Sequence, residues 1–187
     1  RAFGSDARKE DEVVALVERI EAEVGPIEVL VFNIGANVPS SILDETARKY
    51  FKIWEMACLG GFLNGREVAR RMVARGRGTI LFTGATASLR GAANFAAFAG
   101  AKHALRALAQ SMARELGPRN IHVAHVVVDG AIDTEFIRTN FPERYATKAD
   151  DGILDPAHIA ENYWYLHTQP RDAWTFELDL RPWSERW

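Results

Sequence analysis

The chain has 187 residues, 48% of them hydrophobic and 26% charged, with a formal net charge of -2 and a pI near 6.2. This balance is typical of one globular domain and gives no support for a nucleic-acid or anionic-membrane partner. The single cysteine, Cys58, excludes an internal disulfide and a Cys-rich zinc site, so we expect a cytoplasmic setting and no metal. No apolar run approaches the roughly 20 residues that span a bilayer.

The spacing of apolar residues predicts strands that alternate with helices. Helical spacing covers Glu10–Val24, Glu45–Arg75, Asn94–Leu116 and Pro156–His167. Strand-like runs are Arg1–Gly4, Glu28–Asn33, Gly78–Thr83, Ile121–Val128 and Trp174–Leu180. Buried strands separated by helices predict an α/β fold, in which right-handed crossovers build a doubly wound parallel sheet with helices on both faces. We interpret residues 1–187 as one domain.

We expect ligands at the carboxyl ends of these strands, because an open parallel α/β sheet binds them beyond that edge. The strand ends are Asn33-Ile34-Gly35, Thr83-Gly84-Ala85-Thr86 and Asp129-Gly130. The stretch Asp133–Asp155 lacks clear periodicity and is long for a connection, which is typical of a lid or a binding loop.

From Asp6 to Thr134 the chain resembles the short-chain dehydrogenase/reductase family, because four partial motifs follow in the family's order. They are Asp6-Ala7, Asn33-Ile34-Gly35, Phe98-Ala-Gly-Ala-Lys102 and Asp129-Gly130-Ala131-Ile132-Asp133-Thr134. The corresponding family features are an adenine-contacting pair, Asn-Asn-Ala-Gly, Tyr-x-x-x-Lys and Pro-Gly-x-Ile/Val-x-Thr. The resemblance implies a three-layered Rossmann-like fold and hydride transfer between a nicotinamide and a carbonyl or alcohol carbon.

Three of the family's four catalytic side chains are replaced. Phe98 stands where the family has its proton-transferring tyrosine, and Ala85, thirteen residues earlier, stands where it has a serine. Ala57 stands at the position of an asparagine that orders a water relay. Lys102 alone remains, on the same helix face as Phe98. Thr83, Thr86 and Ser88 are candidates for a compensating hydroxyl, and Thr86 is the best placed.

The resemblance carries over more fully to the cofactor, which would be NAD or NADP. The side chains and turns that it implies for binding are Asp6, Ala7, Asn33, Gly35, Thr83, Lys102, Gly130, Ile132 and Thr134. Lys102 would hold ribose hydroxyls, whereas Ile132 and Thr134 would hold the carboxamide. We therefore expect a nicotinamide pocket with impaired or altered chemistry, acting on a small molecule.

Two further expectations follow from the resemblance. The family opens with a glycine-rich turn and two strand–helix units that this sequence does not contain, so we expect a segment on the order of 50 residues to precede Arg1. The family also forms dimers and tetramers through its long helices. We expect a homodimer or homotetramer, with Phe95, Ala96, Ala97 and Ala99 suited to close helix contact.

Each feature also has a purely structural interpretation. Asn33-x-Gly35 is an ordinary strand-end turn when taken alone, and Lys102 could snorkel beside a core aromatic. His122 and His125 are three apart in a strand and so face opposite sides, which argues against a metal pair. The arginines at positions 70, 71, 75 and 77 suit a helix end. The tryptophans at positions 174, 183 and 187 suit a core or a subunit contact better than a ligand cage.

A second hypothesis therefore stands beside the oxidoreductase: a non-catalytic dinucleotide-binding or scaffold protein of the same fold. Phe98, Ala85 and Ala57 favour it, whereas Lys102, Ile132 and Thr134 are compatible with both.

Overall fold

A four-stranded parallel sheet organises residues 1–186, the part of the chain that this computed structural model describes. The strands are β1 (Val29–Phe32), β2 (Gly78–Thr83), β3 (Ile121–Val128) and β4 (Glu177–Leu180). They lie side by side in chain order, and every neighbouring pair is parallel. Their carboxyl ends therefore meet at one edge of the sheet.

Helices occupy most of the connecting segments. They are α1 (Glu10–Glu23), α2 (Ala47–Trp54), α3 (Gly60–Arg75), α4 (Ala96–Leu116), α5 (Glu135–Asn140), α6 (Pro142–Ala146) and α7 (Pro156–Thr168). A π-helical turn, Glu55–Leu59, joins α2 to α3, so the predicted long helical region is continuous but locally widened. Such π-turns are rare and often lie at functional sites.

The two sheet faces bury separate apolar clusters. On one face Val17 of α1, Met72 of α3 and Leu105 of α4 pack against β-strand residues that include Phe32 and Phe82. On the other face Leu166 of α7 is the buried helix residue, and it packs against strand residues such as Leu81 and Val126. The predicted α/β sheet with helices on both faces, in three layers, is confirmed.

The crossovers do not all have the same hand, contrary to the prediction. The chain moves one strand in the same direction at each step, yet the β1–β2 and β2–β3 connections cross one face and the β3–β4 connection crosses the other. The α7 crossover therefore has the opposite hand to the two before it, which is uncommon for parallel strands.

Three element predictions are corrected. Residues 1–4 form no strand, because no strand lies beside them to pair with in the described residues. The final strand begins at Glu177 and not at Trp174, because residues 174–176 do not pair with β3 as strand residues. The stretch 133–155 is not irregular throughout: it contains α5, α6 and a 3-10 turn, all too short for apolar periodicity to show.

No helix in the described residues is long and apolar enough to cross a membrane.

Candidate functional site

Lys102 lies at the carboxyl edge of the sheet, beside the end of β2. Its side chain is only 4% exposed, and its Nζ donates a 2.7 Å hydrogen bond to the backbone carbonyl of Thr83, the last residue of β2. Gly35 leaves room for it, since a Cβ at that position would lie 3.2 Å from the Lys102 Cε. Burial lowers the pKa of Lys102 to about 8. The structure thus brings three predicted residues, Gly35, Thr83 and Lys102, into one place.

Phe98 and Ala57 belong to the same apolar cluster. Ala57, in the π-helical turn, is fully buried with Ile53 and Ala97, and Phe98 packs against this group. The Lys102 ammonium lies 5.9 Å from the centre of the Phe98 ring, within range of a cation–π contact. Two of the three substituted positions, Ala57 and Phe98, therefore pack in one apolar cluster.

The turn after β2 holds the remaining substituted position, Ala85. Two of the three candidate hydroxyls near it are already committed. Thr83 points to the opposite sheet face, where its Oγ1 lies 2.7 Å from the hydroxyl of Tyr163 in α7. Ser88 is fully buried, and its Oγ accepts a 3.1 Å hydrogen bond from the Ala85 backbone N–H. Strand alternation and turn packing thus direct these two candidate hydroxyls away from the carboxyl edge of the sheet.

Thr86 keeps partial exposure, and its hydroxyl has a partner that the sequence did not reveal. Thr86 Oγ1 donates a hydrogen bond to Oδ1 of Asp129, the residue that follows β3. Oδ2 of the same carboxylate lies 3.5 Å from Nη2 of Arg90. The side chain of Asp129 is 5% exposed. The feature of the sequence that could have indicated this contact is Asp129 itself, an acidic residue where the family has proline.

The loop after β3 carries the residues that the resemblance assigns to the carboxamide. Gly130 has a φ of +152° and packs so closely on Pro182 that a Cβ would lie 2.7 Å from its Cδ. Ile132 pairs with Leu154 in an isolated parallel bridge. Thr134 is the N-cap of α5, and its Oγ1 accepts a 3.3 Å bond from the Ile137 N–H. The bridge and the cap hold the loop in position, and the Thr134 hydroxyl, which accepts in the cap, keeps its proton for a further acceptor.

The segment assigned to the adenine lies beside α3. Arg8 holds the Asp6 carboxylate through a 2.7 Å hydrogen bond from Nε, and this contact lowers the pKa of Asp6 to about 2. The carbonyl of Ala7 accepts a 3.3 Å bond from Nδ2 of Asn64. Asn33 is exposed directly after β1. These positions fit the predicted edge, although both Asp6 oxygens already have a partner in Arg8.

A buried ionic group lies under the Ala85 turn and was missed from the sequence. His125 is fully buried, with its Nδ1 3.0 Å from Oε2 of Glu177, and Arg106 makes 2.6 and 2.8 Å bonds to the same carboxylate. The His125 ring fills the space beside Gly84, where a Cβ would overlap it. Burial lowers the pKa of His125 to about 4, so the ring is neutral at pH 7.

His122 and the clustered arginines have structural roles, whereas Trp183 does not lie in the core. His122 stacks on Trp174 at 4.8 Å, on the side of the sheet opposite His125, as predicted. The four clustered arginines each pair with a carboxylate, and the partners include Glu67, Glu21 and Glu28. Trp183 is 79% exposed, and Trp187 lies outside the described residues.

Comparison with known proteins identifies the family of this chain. Residues 1–144 match the family described as short chain dehydrogenase. A crystal structure of a short-chain dehydrogenase from Rhodopseudomonas palustris is 51% identical, with a TM-score of 0.81 over 98% of this chain and 74% of that one. A structure described as ElxO with NADP bound shares the fold, with a TM-score of 0.84 at 19% identity over 95% of this chain and 75% of that one.

Two curated relatives are similar over a shorter stretch. The 2-dehydro-3-deoxy-D-gluconate 5-dehydrogenase of Formosa agariphila is 35% identical over 115 residues, 62% of this chain and 44% of the relative. The 3-oxoacyl-[acyl-carrier-protein] reductase MabA of Mycobacterium tuberculosis is 32% identical over 133 residues, 71% of this chain and 53% of the relative. The chain therefore spans about half the length of the curated relatives it matches. It belongs to the short-chain dehydrogenase family.

Proposed function

We propose that this chain builds the nicotinamide site of an NAD(P)-dependent oxidoreductase that moves hydride between the cofactor and an alcohol or carbonyl carbon, with altered groups for proton transfer. The observation that carries the proposal is the burial of Lys102. Burying a lysine to 4% exposure costs free energy, and only one of its N–H groups is used by the carbonyl of Thr83. Its other two N–H donors are suited to ribose hydroxyls.

The residues at the carboxyl edge of the sheet are of the types that could bind a dinucleotide there. Gly35 would let a ligand approach Lys102, since a Cβ at this position would lie 3.3 Å from the Lys102 Nζ. Gly130, Ile132 and Thr134 lie on a fixed loop at the same edge of the sheet, with Ile132 anchored to Leu154. When bound, the nicotinamide would supply or accept the hydride. Lys102 would orient the ribose, and the loop after β3 would hold the ring's carboxamide.

The proton-transfer chemistry must differ from the family's. Hydride arrival on a carbonyl carbon leaves negative charge on oxygen, which needs a proton or a strong donor. Phe98 and Ala85 provide neither. Loss of a positioned acid typically costs about 10²–10⁴-fold in rate. Thr86 is the one hydroxyl among the three candidates that is both partly exposed and at the edge.

A non-catalytic dinucleotide-binding protein is the second candidate, and the packing of Phe98 favours it. Phe98 lies in the cluster that includes Ala57 and Ala97, so the substituted positions form a coherent apolar surface. Such a surface can support a bound cofactor without reacting with it.

Cofactor titration with and without turnover separates the two candidates. Quenching of intrinsic fluorescence would report binding of NAD, NADP and their reduced forms, and absorbance at the nicotinamide band would report turnover on alcohols, ketones and aldehydes. We expect binding, weakened by about tenfold or more in Lys102→Met because charged hydrogen bonds to the ribose are lost. Lys52→Met, at an exposed lysine of α2, is the control. Equal affinity of the wild type and Lys102→Met would contradict the proposal.

We also propose that residues 1–187 form a single dinucleotide-binding domain in which residues 133–155 act as the substrate lid. This stretch follows β3 at the ligand edge and is mostly exposed. Phe136 and Phe141, 64% and 51% exposed, lie 5.9 Å apart on it and offer an apolar surface to a substrate.

We propose self-association as a homodimer or homotetramer through α3 and α4, with a corrected contact surface. Ala97 and Ala99, expected at the contact, are 3% and 7% exposed because they pack inside the chain. A groove of about 460 Å³ lies between α3 and α4 instead, lined by residues that include Phe62, Leu108 and Met112. Sedimentation of the wild type and Phe62→Glu tests this, and a wild type that stays monomeric at micromolar concentration would contradict it.

A further inference from the structure

The pairing of Thr86 with a buried carboxylate follows from strand register. Thr83 of β2 lies opposite Val126 of β3, so Thr86 and Asp129, each three residues further on, leave the sheet side by side. The Asp129 N–H donates a 2.8 Å bond to the carbonyl of Leu180, which fixes its backbone to β4. The carboxylate therefore has a set position relative to Thr86.

The direction of the Thr86–Asp129 hydrogen bond follows from charge. An ionised carboxylate is an acceptor only, and the Arg90 guanidinium, 3.5 Å from Oδ2, supplies the balancing positive charge. The proton in the bond therefore belongs to the hydroxyl of Thr86. With that proton engaged, Oγ1 offers only lone pairs to a further partner.

We propose that, within the oxidoreductase site proposed above, Asp129 is a positioning residue that makes Thr86 a hydrogen-bond acceptor, so that the site binds the O–H of an alcohol in preference to a carbonyl oxygen. An alcohol can donate to Oγ1, whereas a carbonyl oxygen meets a second acceptor. Asp129 acts through Thr86, because both of its carboxylate oxygens already have partners, Oδ1 in Thr86 and Oδ2 in Arg90.

Neighbouring hydroxyls do not offer the same selectivity. Thr83 is engaged with Tyr163 on the far face of the sheet, and Ser88 is fully buried. Ala85 contributes a methyl group only. The alcohol preference should therefore depend on Thr86 and Asp129 together.

The test uses the full chain with two unreactive probes. Trifluoroethanol, an O–H donor, is titrated in the presence of NAD or NADP, and N,N-dimethylformamide, a carbonyl acceptor without an N–H, in the presence of the reduced cofactor. Calorimetry of the wild type should show tighter binding of trifluoroethanol. Asp129→Asn should weaken trifluoroethanol about tenfold and strengthen N,N-dimethylformamide, because the amide N–H of Asn can donate to Oγ1 and release the hydroxyl proton.

Two further variants and one control complete the design. Thr86→Val should lose trifluoroethanol binding, and Thr86→Ser should retain it. Asp172→Asn removes the same charge at an exposed residue on the opposite edge of the sheet and should change neither probe.

The outcomes separate this inference from the proposed function. Equal weakening of both probes by Asp129→Asn, in parallel with a lower melting temperature, would assign Asp129 a purely structural role and overturn the inference. Cofactor binding without binding of either probe would also overturn it while leaving the proposed function standing. A wild type that binds neither NAD nor NADP would overturn both.

Discussion

The ammonium of Lys102 donates a 2.7 Å hydrogen bond to the backbone carbonyl of Thr83, at a depth where only 4% of the lysine is exposed. Burial favours the neutral amine, and the pKa of Lys102 falls to about 8. A group that binds a proton less tightly in the folded state destabilises the fold whenever it is charged. Lys102 is thus kept at a cost in stability, which is typical of residues retained for function.

The stability difference between Lys102→Met and the wild type should depend on pH. The cost of the charged lysine is fully present below pH 8 and disappears as the pH rises toward 10.5, the ordinary value. The difference should therefore move by about 3 kcal/mol in favour of the wild type across that range. Urea unfolding at several pH values measures it, with Lys52→Met as the flat control. A difference that does not change with pH would contradict the buried, perturbed lysine.

Because of His125, the free energy of unfolding should fall as the pH is lowered. Its folded-state pKa is lowered by burial to about 4 from 6.5, so unfolded chains bind a proton below pH 6.5 that folded chains do not. Stability should fall by about 3 kcal/mol between pH 6.5 and 4 because of this group alone. His125→Gln should flatten that part of the curve, whereas exposed His158→Asn should leave it intact. An unchanged acid limb in His125→Gln would show that the ring is not buried as described.

Gly84→Ala should be destabilising chiefly because of His125, whose ring a Cβ would overlap more deeply than it would the Ser88 Oγ, 2.8 Å away. A methyl group at position 84 would overlap the imidazole, and overpacking of this kind costs about 1–3 kcal/mol. In His125→Ala the overlap with the ring is gone and only the Ser88 Oγ contact remains, so adding Gly84→Ala should then cost less. A double-mutant cycle by denaturant unfolding gives the coupling energy. Gly91→Ala, with nothing within 4 Å of the new methyl, is the control. Additive effects would argue against the contact.

The sequence predicted the sheet, its helices and the ligand edge, because long apolar periodicity and strand-end turns are local signals. It did not predict which way the hydroxyls of Thr83, Thr86 and Ser88 point, since that depends on strand register and on side chains from α7 and β3. The His125–Glu177 pair was invisible for the same reason: its members are 52 residues apart and meet only when β3 pairs with β4.

The C-terminal segment should hold the proposed lid in place. The indole N–H of Trp183 donates a 2.8 Å bond to the carbonyl of Asp150, and Arg144 of α6 pairs with Glu185. The double variant Trp183→Ala, Glu185→Ala should raise hydrogen exchange in residues 135–150 by several-fold, because these tertiary contacts limit local opening. Glu161→Ala on α7 is the control. Unchanged exchange across the lid would show that the tail does not restrain it.

The central claim is that the site binds a nicotinamide cofactor but lacks the usual group for protonating a carbonyl, and cofactor oxidation across a panel of ketones and aldehydes tests it most directly. We predict very weak turnover by the wild type and at most a small gain in Phe98→Tyr. Phe98→Tyr with Ala85→Ser and Ala57→Asn should give a larger gain, because such groups act as a unit. Melting temperatures must accompany these variants, since Ala57 is fully buried. Robust wild-type turnover that is abolished by Thr86→Ala would contradict this claim and the acceptor role of Thr86, because Thr86 would then be the donor to the carbonyl oxygen. Robust turnover that is insensitive to Thr83, Thr86, Ser88 and Lys102 would contradict the account.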